Sequence, residues 1–182
     1  MNLDPSLLKV ITDLFSKGAT KIKLSDPPVT IYKDDYDKII KSPLIFISKS
    51  FEDNDKEINE YFENILNALN ITFITAEKYA GIPIENKVED LISKCDFLIG
   101  IYAKRYENAI KGNMLTSQWL IRETHFAKAK GAKIIILVEE GITDIGGLES
   151  DIELIHFSRS NLKSVQQSTI KFLEALRWHK II

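Results

Sequence analysis

The run Ser117-Gln-Trp-Leu-Ile-Arg-Glu123, continued by Thr124-His-Phe-Ala-Lys-Ala-Lys-Gly131, sets a carboxylate among apolar side chains at helical spacing. Trp119, Glu123, Phe126, Ala127 and Lys130 fall on one helix face. A carboxylate in such a stripe must reach a partner or line a cavity, because burying it bare is costly. The competing reading is a surface carboxylate paired with Arg122 or Lys128; the apolar stripe weighs against it, and the residues alone leave both open. Lys133-Ile-Ile-Ile-Leu-Val138 follows and reads as a fully buried parallel strand. A helix feeding that strand carries its first turns to the sheet edge where α/β proteins bind ligands.

Hydroxyls and aromatics cluster at the other expected strand ends. The first loop offers Ser48, Ser50 and Phe51, and the second offers Tyr79 and the Gly81-Ile-Pro83 bend. The third offers Tyr102, Arg105 and Tyr106, and the helix offers Ser117, Trp119 and Glu123. Such a set suits a sugar ring: a carboxylate stabilises an oxocarbenium-like centre, hydroxyls address ribose oxygens and aromatics stack on a base. Each residue also has a plain structural use. Ser50 with Asp53 fits an S-x-x-D cap at a helix start, Trp119 fits a core position, and Arg105 and Tyr106 fit a solvated loop.

Other chemistries lack their residues. The loop Ser48-Lys-Ser-Phe-Glu-Asp53 has no glycine, and neither GxGxxG nor GxxxxGK occurs, which disfavours dinucleotide folds and P-loops. The third strand ends in Ile101-Tyr102-Ala103 rather than an aspartate, so a receiver-type phosphorylation site is excluded. No GxSxG elbow is present. His125, His156 and His179 stand apart without metal-ligand spacing, so no metal site is expected. Cys95, the lone cysteine, excludes an internal disulfide, suits a reducing cytoplasm, and reads as a small packed hydrophobe.

The elements that must position these residues alternate from residue 43 onward. Strands are expected at 44–48, 71–74, 97–102, 133–138 and, more weakly, 154–157. Helices are expected from Asp53 to Leu69, Glu85 to Lys94, through Glu123, and from Lys163 to Trp178, with a glycine-rich connection from Gly141 to Gly147. Five strands alternating with helices predict an α/β doubly wound parallel sheet of flavodoxin-like order in a domain spanning 43–182. Residues 1–42 stand outside the alternation as a short N-terminal extension. It holds an amphipathic helix from Pro5 to Phe15 ended by Gly18, an Asp26-Pro-Pro28 turn and an edge strand at 29–32. This extension either packs on the main domain or joins it to something outside this chain.

At 182 residues, 45% apolar and 27% charged, the composition fits one globular domain with an appendage. A net charge of −2 without a basic face argues against nucleic-acid binding. No apolar run approaches membrane-spanning length and no secretory signal opens the chain, so a cytoplasmic protein is expected.

Taken together, these motifs resemble a Toll/interleukin-1 receptor (TIR) domain over about residues 43–178. Pro43-Leu-Ile-Phe-Ile-Ser48-Lys-Ser50 with Asp53 resembles the family's F-I-S-x-S-x-x-D strand and loop, and Tyr79-Ala-Gly-Ile-Pro83 falls at the BB loop. Ile84 to Cys95 and Asp96-Phe-Leu-Ile-Gly-Ile-Tyr102 resemble the next helix and strand, and Ser117-Gln-Trp119-x-x-x-Glu123 matches S-x-W-x-x-x-E. The Ala103–Thr116 loop is longer than in many members, and the BB loop lacks a frequent Arg-Asp pair.

The resemblance implies cleavage of NAD+ at the nicotinamide–ribose bond, in signalling or antiviral defence, with NAD+ as substrate and no cofactor. It assigns Glu123 to catalysis, Trp119 or Phe51 to the pocket wall, and Ser48 and Ser50 to the ribose or diphosphate. It further implies self-association through region 75–84 and a partner protein or activating ligand. Two other readings remain: a non-catalytic TIR oligomerisation or adaptor module, and a nucleoside deoxyribosyltransferase-like enzyme whose glutamate attacks the sugar.

Overall fold

The computed structural model describes residues 5–25, 28–33, 43–76, 84–107, 114–148 and 152–182. The chain divides into two compact units, Met1–Ser42 and Pro43–Ile182. In the first, helix α1 (Pro5–Ser16) is followed by an antiparallel pair, β1 (Lys21–Ser25) and β2 (Pro28–Tyr32). Gly18 takes φ +95° just after the helix, a left-handed turn that a residue with a Cβ rarely adopts. Ile11, Phe15 and Ile31 form a small core, while Leu14 is exposed. Strand β1 was not foreseen; Lys21-Ile-Lys-Leu-Ser25 alternates, but too briefly to stand out from a loop.

The second unit is built on β3 (Ile45–Lys49), β4 (Phe73–Thr75), β5 (Phe97–Tyr102), β8 (Lys133–Glu139) and β10 (Glu153–Phe157), all paired in parallel. Their spatial order is β4-β3-β5-β8-β10, which is the flavodoxin-like 2-1-3-4-5 arrangement. The connecting helices are α2 (Lys56–Ala68), α3 (Ile84–Ser93) and α4 (Gln118–Ala129), with α5 (Leu162–Trp178) closing the chain.

Strand side chains alternate between faces, so each strand feeds two cores. Ile45, Ile47, Ile99, Ile101, Ile135, Leu137, Ile155 and Phe157 meet Phe62 and Leu66 of α2 and Phe172 and Leu176 of α5. Phe62 stands edge-on to Phe157 and Phe172 at 5.6 and 5.9 Å between ring centres, a favoured aromatic geometry. On the opposite face Phe46, Leu98, Ile134, Ile136 and Val138 meet Val88 and Ile92 of α3 and Leu120, Ile121 and Ala127 of α4. Helices therefore cover both faces, and the doubly wound expectation holds.

Three short strands escaped sequence reasoning: β6 (Tyr106–Glu107), β7 (Met114–Leu115) and β9 (Ile142–Asp144) form a side sheet of order β6-β7-β9. Elements of two or three residues carry no periodicity. The first long helix opens with a 3-10 turn at Asp53–Asp55, and Ser50 does not cap it. Ser50 Oγ instead accepts the Glu52 N–H at 3.1 Å, a tight turn ahead of the helix. On α4, Lys130 is exposed rather than part of the buried stripe, because it lies past the last turn.

Among the described residues no helix is long and apolar enough to cross a membrane.

Candidate active site at the carboxyl edge of the sheet

Two pieces of local structure bring Glu123 to the rim. Ser48 is the fourth residue of β3 and points to the α4 face, the same side as Phe46. Tyr102 ends β5 fully buried, and its phenol bonds the Leu120 carbonyl at 3.1 Å and Thr124 Oγ1 at 2.7 Å. That clasp fixes the turn of α4 carrying Glu123. Gly100 makes it fit: a Cβ there would lie 3.0 Å from the Tyr102 ring. Tyr102, expected among the pocket residues, therefore belongs to the core.

Glu123 is 5% exposed. Ser48 Oγ donates to Glu123 Oε2 at 2.5 Å, and the indole N–H of Trp119, one turn earlier, donates to Oε1. Among the described residues no cation pairs with it. Arg122 pairs with Glu89 at 3.4 Å, and the burial of Glu123 removes the surface-pair reading. Burial pushes the Glu123 carboxyl up to about 7, partly opposed by the hydrogen bonds from Ser48 and Trp119. Beside it, Val88, Glu89, Ile92, Trp119, Arg122 and Phe126 line a hollow of about 10 Å³, room for roughly one water. A pentose does not fit that hollow.

A second cluster lies along the same edge. Arg105, a candidate site residue whose plain reading was a solvated loop, has an 18% exposed side chain and donates through Nη2 to Ser50 Oγ; Nη1 lies 3.4 Å from Glu52. Ser50 is 4% exposed, and the Asn59 amide holds its carbonyl at 2.7 Å. Beyond Arg105 come Asp55, Glu139 and Arg159, none of which the sequence reading singled out. Arg159 grips Glu139 with a two-pronged pair at 2.8 and 2.7 Å and reaches Asp55 at 3.0 Å. One signal was available: Glu139 directly follows five consecutive apolar residues, Ile134 to Val138, at the edge where ligands bind.

The remaining candidates do not join either cluster. Phe51 is half exposed under the Lys49 amine, 5.8 Å from its ring centre, while Lys49 also pairs with Glu63 at 2.5 Å. Ser117 is the residue before α4 but makes no capping hydrogen bond with its side chain. Tyr106 sits in β6 and its side chain lies outside the described residues, as do Tyr79 and most of region 75–84. Cys95 donates to the Leu91 carbonyl at 3.3 Å, and burial pushes its thiol up to about 11, which leaves it an inert packing residue. Among the described residues no group of three or more His, Cys, Asp or Glu side chains is placed to hold a metal ion.

No protein-family model matches the sequence, and no curated protein does. Solved structures do resemble the chain. One is the CMP N-glycosidase BcmB of Clostridium botulinum, at 18% identity and TM-score 0.44, over 69% of this chain and 97% of that one. Another is the TIR domains of the activated Roq1 resistosome that directly recognises the pathogen effector XopQ. It matches at 16% identity and TM-score 0.43, over 74% of this chain and 73% of that one. The fold is set by the strand order of the sheet itself. Chemically, the rim offers in Glu123 a desolvated carboxylate whose proton is held more tightly by burial, flanked by hydroxyls and an indole.

Proposed function

We propose that this chain is a TIR-type N-glycosyl hydrolase that cleaves NAD+ between nicotinamide and ribose, in signalling or defence. The observation that carries the reading is Glu123, a desolvated carboxylate at the carboxyl edge of the sheet, held by Ser48 and Trp119 and, among the described residues, without a cationic partner. A structural acid in that position would be expected to sit in an ion pair. In its ionised form Glu123 engages the ribose hydroxyls and stabilises positive charge as the C–N bond at the anomeric carbon breaks. The bonding pair leaves with nicotinamide, which departs neutral and needs no general acid. Water then adds to the anomeric carbon, giving ADP-ribose and a proton; capture by the adenine of the same molecule would give a cyclic isomer.

Trp119 forms the wall next to the carboxylate, and Ser48 and Ser50 address substrate oxygens. Region 75–84 mediates self-association, and assembly, driven by a partner protein or ligand, raises activity. The test is chromatography of NAD+ incubated with concentrated wild-type protein and with Glu123→Gln. Nicotinamide released by the wild type alone supports the reading. Turnover that stays proportional to protein concentration over a wide dilution series removes the self-association part.

Two outcomes point elsewhere. An adaptor module leaves NAD+ intact and is indifferent to the substitution, whereas exchange between a deoxynucleoside and a free base indicates a transferase. CMP is run beside NAD+ as a further N-glycosidic substrate.

A further inference from the structure

Ser50 lies two residues beyond Ser48 and belongs to the second rim cluster. Its Oγ receives two donors, the Glu52 backbone N–H at 3.1 Å and Arg105 Nη2. A serine oxygen has two acceptor positions and one O–H. With both acceptor positions taken, Ser50 meets any molecule at the rim as a donor only. Its backbone is fixed separately, by the Asn59 amide on its carbonyl at 2.7 Å.

Arg105 in turn depends on what lies behind it. Asp55, 3% exposed, stands 4.0 Å from Arg105 Nη2 and 3.0 Å from Arg159 Nη2. Arg159 also donates to the Asn54 carbonyl at 2.8 Å and holds both oxygens of Glu139, which is 4% exposed. Glu139 Oε2 accepts the Lys104 N–H at 2.9 Å, next to Arg105 in the chain. One guanidinium thus ties the segments that follow β3 and β10 to the last residue of β8, whose carboxylate in turn takes the Lys104 N–H beyond β5. Two carboxylates taken this far out of water add little stability compared with an apolar filling of the same volume. Their arrangement fits control of position better than support of the fold.

We propose that Arg159 is a positioning residue of the rim site: through Asp55 it orients the Arg105 guanidinium, and through Arg105 it holds the Ser50 hydroxyl as a donor toward a sugar or phosphate oxygen of the substrate. The identity of that substrate rests on the reading given under Proposed function; the network does not. Arg159 never touches substrate, so its loss acts on binding geometry rather than on the bond that breaks.

The experiment is steady-state NAD+ cleavage by wild type, Ser50→Ala, Arg159→Lys and the double variant, with melting curves on all four. Lysine keeps the charge but loses the fork that spans Glu139 and Asp55. Arg159→Lys and Ser50→Ala are each expected to raise KM roughly tenfold with kcat within about twofold, the worth of one hydrogen bond. The double variant is expected to be no worse than Ser50→Ala, because both changes remove the same contact. Effects that multiply in the double variant, or a fall in kcat that tracks the melting temperature at unchanged KM, overturn the proposal.

ADP-ribose affinity, measured by calorimetry on the same proteins, separates this proposal from the activity reading. Wild-type affinity retained in Ser50→Ala or Arg159→Lys overturns the positioning role even if NAD+ is cleaved. Weakened affinity in both supports it even if NAD+ is not cleaved. A wild type that neither cleaves NAD+ nor binds ADP-ribose overturns both.

Discussion

Replacing Glu123 by glutamine is expected to cripple catalysis and to stabilise the protein, with the stabilisation confined to neutral and alkaline pH. Burial raises the carboxyl from 4.5 to about 7 against the pull of two hydrogen bonds. At 1.36 kcal/mol per pKa unit, keeping Glu123 ionised in the fold above pH 7 costs about 3 kcal/mol of stability. The sign follows from where the proton is held more tightly. The folded state binds it more strongly than the unfolded chain, so this contribution is complete below about pH 4.5 and is lost as pH rises to about 7. Glutamine has the shape of the protonated acid: its oxygen accepts the Trp119 N–H and its amide donates to Ser48 Oγ.

Calorimetric melting of Glu123→Gln beside wild type should therefore show little difference at about pH 5 and about 3 kcal/mol in favour of the variant at about pH 8.5. For a chain of this size that corresponds to roughly 6–12 °C in Tm. NAD+ cleavage should fall by about 10²–10³-fold, the usual loss when a group that stabilises transition-state charge is removed. A variant less stable than wild type at pH 8.5, or one offset equally at both pH values, refutes the claim that burial of the charge is what perturbs this carboxyl.

Ser48→Ala removes a donor that holds the Glu123 carboxyl down, so the alkaline rise in activity should shift further above pH 7, with roughly tenfold lower rate at neutrality. Trp119→Phe keeps a ring in the wall and loses the N–H; the pH–rate curve should move in the same direction. Arg159→Ala leaves Asp55 and Glu139 in the buried rim without their shared partner, and urea unfolding should show a loss of about 3–5 kcal/mol. Gly146→Ala should destabilise by about 1–3 kcal/mol in a melting experiment, because Gly146 has φ +74° and its added Cβ would lie 2.5 Å from Ile121 Cγ2.

Much of this molecule could be read from its residues because its strands are apolar through and through. Leu44 to Ser48, Phe97 to Tyr102 and Lys133 to Val138 announce a parallel sheet, and the intervening helical stripes settle its layering. The strand at Ile71–Ile74 was displaced to Phe73–Thr75, since Asn70 takes φ 56° and the Ile71 N–H still bonds the Leu66 carbonyl at 3.0 Å. That prolongs the helix exit by one turn.

At the site, Glu123 and Trp119 were legible because i and i+4 on a helix are neighbours whatever the tertiary fold. Ser48 was legible because it ends the first strand. The Arg159 network was not. Its members Asp55, Arg105, Glu139 and Arg159 come from four separate segments, and only the closed sheet brings their charges together. The reading of Ser50 as a helix cap failed for the same reason, since a local motif was outcompeted by a guanidinium 55 residues away.

The most direct test of the account follows nicotinamide release from NAD+ by concentrated protein across pH 5–9, with the ionisation of Glu123 tracked in the same samples by carboxyl-difference infrared spectroscopy. The account predicts a rate that climbs through about pH 7 in step with loss of the Glu123 proton, and no such limb in Glu123→Gln. Absence of nicotinamide from the wild type, or a limb that persists in the glutamine variant, would contradict it.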